Sequence, residues 1–275
     1  MTPSPPRLVP VSRGTHGNRR WRRVRNYAFA ARDAIAPLVA AEAATACIAL
    51  PMGFIKVGEE FRLVALLGLA PGRNLFVAPD GRWIGSYVPA CFRTYPFRFA
   101  NAPQGQPVLC VVEDQDFVVD GPEGEPFFEG EEGTTPAPAI REVMEILQKI
   151  MASASLTVAA AAALARHGLI VPWPLKAPGP DGGQSLEGLY RIDESALNVL
   201  PAAGLAELRD AGALALAYTQ LLSQQNVTVL GTLADAHKKL EAARTAAAQQ
   251  IVTPTGELNL EFLNQNNTLD FRGLG

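Results

Sequence analysis

Between residues 50 and 120 the chain is cut by Gly and Pro into short apolar runs, and the gaps between neighbouring runs leave little room for a helix. Phe54-Ile55-Lys56-Val57 ends at Gly58, Phe61 to Leu67 ends at Gly68, and Asn74-Leu75-Phe76-Val77 precedes the turn Pro79-Asp80-Gly81. Parallel strands need a crossover of about a dozen residues or more, whereas antiparallel strands close through tight turns. The pattern therefore predicts antiparallel strands here. Trp83 to Val88, Val108 to Val112 and Asp116 to Val119 continue it, the last two joined by an acidic turn.

Past residue 138 the apolar period changes. Ile140, Val143, Leu147 and Ile150 fall three and four apart, the stripe of an amphipathic helix. Ser155 is placed to cap a second helix ending before Gly168, and Pro172 and Pro174 force an extended segment after it. Asp193 is a helix N-cap, and Leu205, Leu208, Ala215, Tyr218 and Leu222 make a further stripe weakened at Gly212. Leu230, Leu233, His237 and Leu240 make another. Leu258, Leu260 and Phe262, then Leu269 and Phe271, suggest a terminal pair of strands. Residues 27–46 are Ala-rich and helix-compatible, with Pro37 dividing them.

The fold class is α+β: a β-rich antiparallel N-terminal half packed on a helical C-terminal half. Residues 1–25 read as a basic flexible arm, 26–137 as the β-rich half, and 138–275 as the mainly helical half with a C-terminal β segment. The segment GLIVPW, or the terminal LNLEF, is expected to return to the sheet and join the halves into one unit.

A net charge of −3 does not point to nucleic acid or a membrane surface. The charge is nonetheless segregated. Eight arginines and no acid occupy the first 32 residues, while nine carboxylates and no base lie between Glu113 and Glu132. The basic arm reads as a solvated terminus, with a contact to the acidic stretch as the alternative. The three cysteines, Cys47, Cys91 and Cys110, are too few and too far apart for a disulfide framework or a zinc knuckle, and read as buried thiols. No secretory signal is visible, which places the chain in the cytoplasm and leaves surface association open. The uncharged run from Ile150 to Ala165 is shorter than the roughly 20 apolar residues of a membrane span and reads as a buried helix.

Three stretches together resemble the SapC family: the arginine-rich arm with NYAFAARDAIAPLVAAEA, then LPMGFIKVGEEFRLVALLGLAPGRNLFVAPDGRWIGSYVPACFRTYPFRF, then GLIVPWPLKA with GLYRIDESALNVL and LRDAGALALAYTQLLSQQNV. The order is consistent from about residue 16 to residue 240. That family takes its name from a bacterial surface layer, and its members commonly lack a demonstrated biochemical activity. Relatives occur alongside flavin-dependent halogenase-like proteins, cupin-like proteins and outer-membrane receptors. The resemblance implies an accessory role in a cell-envelope, uptake or modification system.

The densest concentration of binding chemistry is Asn74, Trp83, Tyr87, Arg93, Tyr95 and Phe97. Aromatic side chains alternating on strands can form a flat face, and an arginine there can stack on a ring or grip a carboxylate. The alternative is that the aromatics are core and Arg93 a structural clamp. Asp193 and Glu194 offer an acid–base pair, though carboxylates at a helix start more often cap it. His16, His167 and His237 have no ligand partner at metal-site spacing, and the carboxylates at 113–132 lack calcium-loop spacing, so neither a metal nor a cofactor is expected. Two functional readings follow. The first is a non-enzymatic binding or accessory protein whose partner is another protein or a small peptide-like ligand, self-association being a further option. The second is an enzyme or enzyme subunit acting on a peptide or amino-acid-like substrate, with Arg93 holding its carboxylate.

Overall fold

The structure, a computed structural model, describes residues 7–101, 105–114, 116–130, 135–177 and 184–251. The chain divides into two compact units, residues 1–231 and 232–275, so the expected junction near residue 138 falls inside the first. The described part of the second is the continuation of helix Val227–Ile251. The terminal segments around Leu258 and Leu269 lie outside the described residues.

The antiparallel β-structure predicted from turn spacing is present. A five-stranded sheet runs in the order Ile170–Pro172, Leu189–Ile192, Met52–Val57, Glu60–Leu66, Ile35–Pro37, with every neighbouring pair antiparallel. Its central hairpin turns at Gly58 and Glu59, and Gly58 takes φ +61, a left-handed conformation costly for other residues. The GLIVPW segment does return to this sheet, and with Leu189–Ile192 it carries the chain beyond residue 138 into the same layer as residues 35–66. Pro37 sits at the end of an edge strand, where a missing N–H costs no ladder bond, rather than inside a broken helix. Residues 27–46 accordingly split into a 3-10 turn at Ala28–Ala30, that strand, and helix Ala40–Ala49.

The arm expected to be mobile is built into the fold from residue 7 onward. Arg7–Pro10 pairs with Pro107–Glu113, which pairs in turn with Phe97–Asn101. Arg19–Trp21 is the middle strand between Val118–Asp120 and Glu125–Pro126. Trp21 is 2% exposed and packs with Phe97, Val111, Val118, Phe127 and Ile140 in one core cluster. His16, expected in a mobile arm, is fully buried with its ring 4.8 Å from that of Phe127. Composition misleads here because the arginines are outward-facing, while Val9, Val11, His16 and Trp21 between them provide enough to anchor short strands.

The expected break at Ser155 does not occur: Pro138–Arg166 is one helix of 29 residues. Ser155 and Thr157 donate their hydroxyls to Ala152 and Ser153 carbonyls of the same helix, so these polar residues are satisfied without ending it. By length and composition this helix could cross a membrane, with a third of its most apolar window buried. Its stripe Ile140, Val143 and Leu147 packs into the Trp21–Phe97 cluster as the period predicts. Gly212, at φ +68, separates two helices, Ala202–Asp210 and Ala213–Ser223. The second turns Ala213, Leu216, Ala217 and Gln220 inward and leaves Tyr218 and Leu222 exposed, the reverse of the expected stripe. Gln220 decides that orientation. Its amide accepts from Ile192 N at 2.9 Å and donates to the Met52 carbonyl at 3.0 Å, filling the ladder where two strands diverge.

Candidate functional site

The segment from Asn74 to Phe97 is not the strand-borne face the sequence predicts. Between residues 74 and 89 only a single bridge, Val77 with Trp83, survives, and Ala90–Arg93 is a short helix. Asn74 is buried. Its amide donates to the Ala30 carbonyl at 3.0 Å and accepts from Phe76 N at 3.0 Å, which makes it a loop clamp. Tyr95 is buried flat against Phe29, ring centroids 3.9 Å apart, and Phe97 meets the edge of Trp21 at 4.8 Å. Trp83 is half-buried, stacked on Phe76, with its indole N–H donated to the Tyr87 carbonyl at 2.9 Å. Of the six residues Arg93 alone is exposed, and Tyr87, like Trp83, is half-buried. The Arg93 guanidinium lies 5.6 Å over the Tyr87 ring and donates to the Val88 carbonyl at 3.1 Å.

Glu42 organises this corner, and the sequence reading passed over it. It is 7% exposed. Its Oε2 accepts from the Tyr87 hydroxyl at 2.6 Å and from Ala90 N at 2.9 Å, and its Oε1 accepts from Val39 N at 3.3 Å. One carboxylate thus serves the starts of two helices, Ala40–Ala49 and Ala90–Arg93, and fixes the phenol. The available signal was that Glu42 is the sole carboxylate between Asp33 and Glu59, inside an alanine-rich run. Ala40 N and Ala41 N, the next two donors of the first helix, go to Thr157 Oγ1 at 2.7 Å and Ser153 Oγ at 3.0 Å of the long helix. Burial, then Glu42, pushes the Tyr87 phenol above its ordinary range, so it stays a proton donor to the carboxylate. Burial, again reinforced by Glu42, pushes the Cys91 thiol up to about 12, which leaves almost no thiolate for nucleophilic chemistry at neutral pH.

On the other side of Arg93 the arginine arm meets the acidic stretch within the one chain. Arg19 pairs with Glu113 at 2.9 Å and Asp120 at 3.0 Å, Arg22 with Glu123 at 2.6 Å, and Arg23 with Glu125 and, at 3.0 Å, Glu142. Two of these pairs, Arg22–Glu123 and Arg23–Glu125, line a hollow of about 1000 Å³ together with Phe29, Phe117, Arg25, Asp114 and Asp116. A smaller hollow of about 180 Å³ shares Trp21, Arg23 and Val24 with it and adds Tyr27, Arg93, Tyr95 and Glu142. Arg25 lines the larger hollow and Arg93 the smaller, so the two hollows neighbour each other across the shared segment Arg23–Val24. Among the described residues neither Arg25 nor Arg93 has a carboxylate partner. The Trp21 indole N–H is buried without an acceptor among the described residues.

The other sequence candidates are occupied elsewhere. Asp193 caps helix Glu194–Asn198 by accepting from Ala196 N at 3.1 Å, and does not line the hollow that holds Arg93. His167 Nε2 lies 3.0 Å from Glu207. No group of three or more His, Cys, Asp or Glu side chains among the described residues is placed to hold a metal ion.

A family model described as SapC matches residues 11–230. The chain belongs to the SapC family. No curated protein and no solved structure matches it. The family span begins within the arginine arm, includes Glu42, Tyr87, Arg93 and both hollows, and stops one residue short of the end of the first compact unit. Residues 11–25 of the arm therefore lie within the family match.

Proposed function

We propose that this SapC-family protein is a non-enzymatic binding protein, acting from the cytoplasm as an accessory to a cell-envelope, uptake or modification system, and that its partner lies across the neighbouring hollows lined by Arg25 and Arg93. The observation that carries the reading is that two exposed guanidiniums, Arg25 and Arg93, have no carboxylate partner among the described residues and line neighbouring hollows whose other arginines, Arg22 and Arg23, are already paired. Such unspent charges beside aromatic rings are the composition of interaction hot spots. The high thiol pKa of Cys91 and the capping role of Asp193 count against the reactive roles open to them.

The second reading, an enzyme or enzyme subunit acting on a peptide or amino-acid-like substrate, draws on Glu142 sharing the smaller hollow with Arg93. Glu142 is already paired with Arg23 at 3.0 Å, which leaves it less free to act on a substrate, so this reading takes second place. Native mass spectrometry of the protein purified gently from its own host separates the two. A protein complex is expected, and Arg25→Glu with Arg93→Glu should abolish it without lowering the melting temperature. A retained flavin or other small molecule, or a complex indifferent to both substitutions, overturns the proposal.

A further inference from the structure

We infer that the larger hollow receives an extended peptide segment, paired through its backbone with alternate N–H groups of Arg23–Asn26 and carrying an acidic side chain for Arg25 and a basic one for Asp114 and Asp116. This rests on the binding reading above and names its ligand class. Strand Arg19–Trp21 is hydrogen-bonded on both sides, to Val118–Asp120 and to Glu125–Pro126. Beyond it, Arg22 N still donates to the Phe117 carbonyl at 2.9 Å, and Tyr27 N donates to the Gly81 carbonyl at 2.7 Å. Between these two anchors the backbone N–H groups of Arg23, Val24, Arg25 and Asn26 have no acceptor among the described residues. In an extended chain successive donors point to opposite sides, so two alternate N–H groups of these four are available to one added strand.

The surroundings set the side chains such a strand would carry. Phe29 and Phe117, both half-buried, offer apolar contact to residues that point inward at every second position. Arg22 and Arg23 are already paired, with Glu123 and with Glu125 and Glu142, so they add little attraction. Arg25 is exposed and has no carboxylate partner among the described residues, which leaves it open to an incoming one. Asp114 accepts from Asp116 N, and the Asp116 carboxylate has neither an ion pair nor a hydrogen bond among the described residues, so the facing edge is acidic. A uniformly acidic or uniformly basic segment meets repulsion at one edge, whereas a segment with one charge of each sign at opposite ends satisfies both.

The test uses the full chain and four fluorescein-labelled heptapeptides read by fluorescence polarisation: KLTVTLE, ELTVTLK, the all-basic KLTVTLK, and an alternately N-methylated form of the better of the first two. One of the mixed-charge peptides should bind at least tenfold more tightly than the all-basic one. N-methylation should weaken it at least tenfold, and so should Arg25→Glu, while Arg209→Glu, on a distant helix end, should not. Equal binding of the N-methylated peptide, insensitivity to Arg25→Glu, or no binding of either mixed peptide overturns the inference. A host complex that persists in native mass spectrometry after such a failure leaves the binding reading standing with another kind of partner; loss of the complex as well ends both.

Discussion

Removing the Glu42 carboxylate should destabilise the fold by more than any other single polar substitution in the Tyr87–Arg93 corner. In Glu42→Ala three donors lose their acceptor: the Tyr87 hydroxyl, Ala90 N and Val39 N. The hydroxyl can swing to water, because Tyr87 is only half-buried. The two backbone N–H groups cannot move, and each buried unsatisfied donor costs about 1–3 kcal/mol. The expected loss is about 2–6 kcal/mol, or roughly 4–24 °C of melting temperature for a chain of this size. Glu42→Gln should be much milder. If its amide nitrogen takes the Oε1 position, the remaining oxygen still accepts from both Tyr87 and Ala90, and only the long 3.3 Å bond from Val39 is lost. That substitution should cost about 1–2 kcal/mol. Urea denaturation of the full chain at neutral pH measures both. A second readout is the reactivity of Cys91 toward a disulfide reagent at alkaline pH. Burial and then Glu42 hold that thiol near 12, so Glu42→Gln should lower its pKa and quicken the reaction, burial still opposing it. An alanine variant within 1 kcal/mol of the wild type, or a glutamine variant as damaging as alanine, refutes the reasoning.

Three further outcomes follow from the packing of the N-terminal segment. Trp21→Ala should cost about 3–5 kcal/mol, and a chain starting at Asn26 should lose at least as much, both by denaturant titration, because Trp21 is buried in the core cluster and its strand is the middle of three; unchanged stability would return the segment to the status of a free arm. By contrast, Arg22→Ala should change stability by less than about 1 kcal/mol, since the Arg22–Glu123 pair is exposed on both sides. His16 gives a pH dependence. Burial, outweighing the pull of Glu113, lowers its pKa below the 6.5 of the unfolded chain. The unfolded state therefore takes up a proton first as pH falls, so the stability is fully present above about pH 6.5 and declines as pH falls toward the folded pKa. His16→Phe should flatten that part of the stability profile; an unchanged slope between pH 7 and 5 shows that other groups cause it.

The chain's periodicities were legible wherever local geometry alone decides. Turn chemistry at Gly58 and apolar alternation around it specify the Met52–Leu66 hairpin, because a two-residue turn leaves only one register. The stripe Ile140, Val143, Leu147 specifies a helix and its buried face, because no polar residue competes for that side. Asp193 caps its helix as a sequence neighbour can. What the sequence could not determine is every case in which a group is satisfied from far along the chain. Helix Ala40–Ala49 starts after Val39, which has no capping atom, and its first donors are met by Glu42, Thr157 and Ser153, two of them more than 110 positions away. The helix Ala213–Ser223 buries Gln220 rather than Tyr218 because the diverging strands at Ile192 and Met52 need its amide. The arginine arm reads as solvated until the acidic stretch, about a hundred residues on, is folded against it. Likewise the aromatic run from Trp83 to Phe97 reads as one face, but packing sends Tyr95 and Phe97 inward and leaves Arg93 exposed. Hydrophobic period and turn residues act over a few bonds and are written in the sequence; the pairing of isolated polar groups depends on which distant segments arrive beside them, and only the tertiary structure decides that.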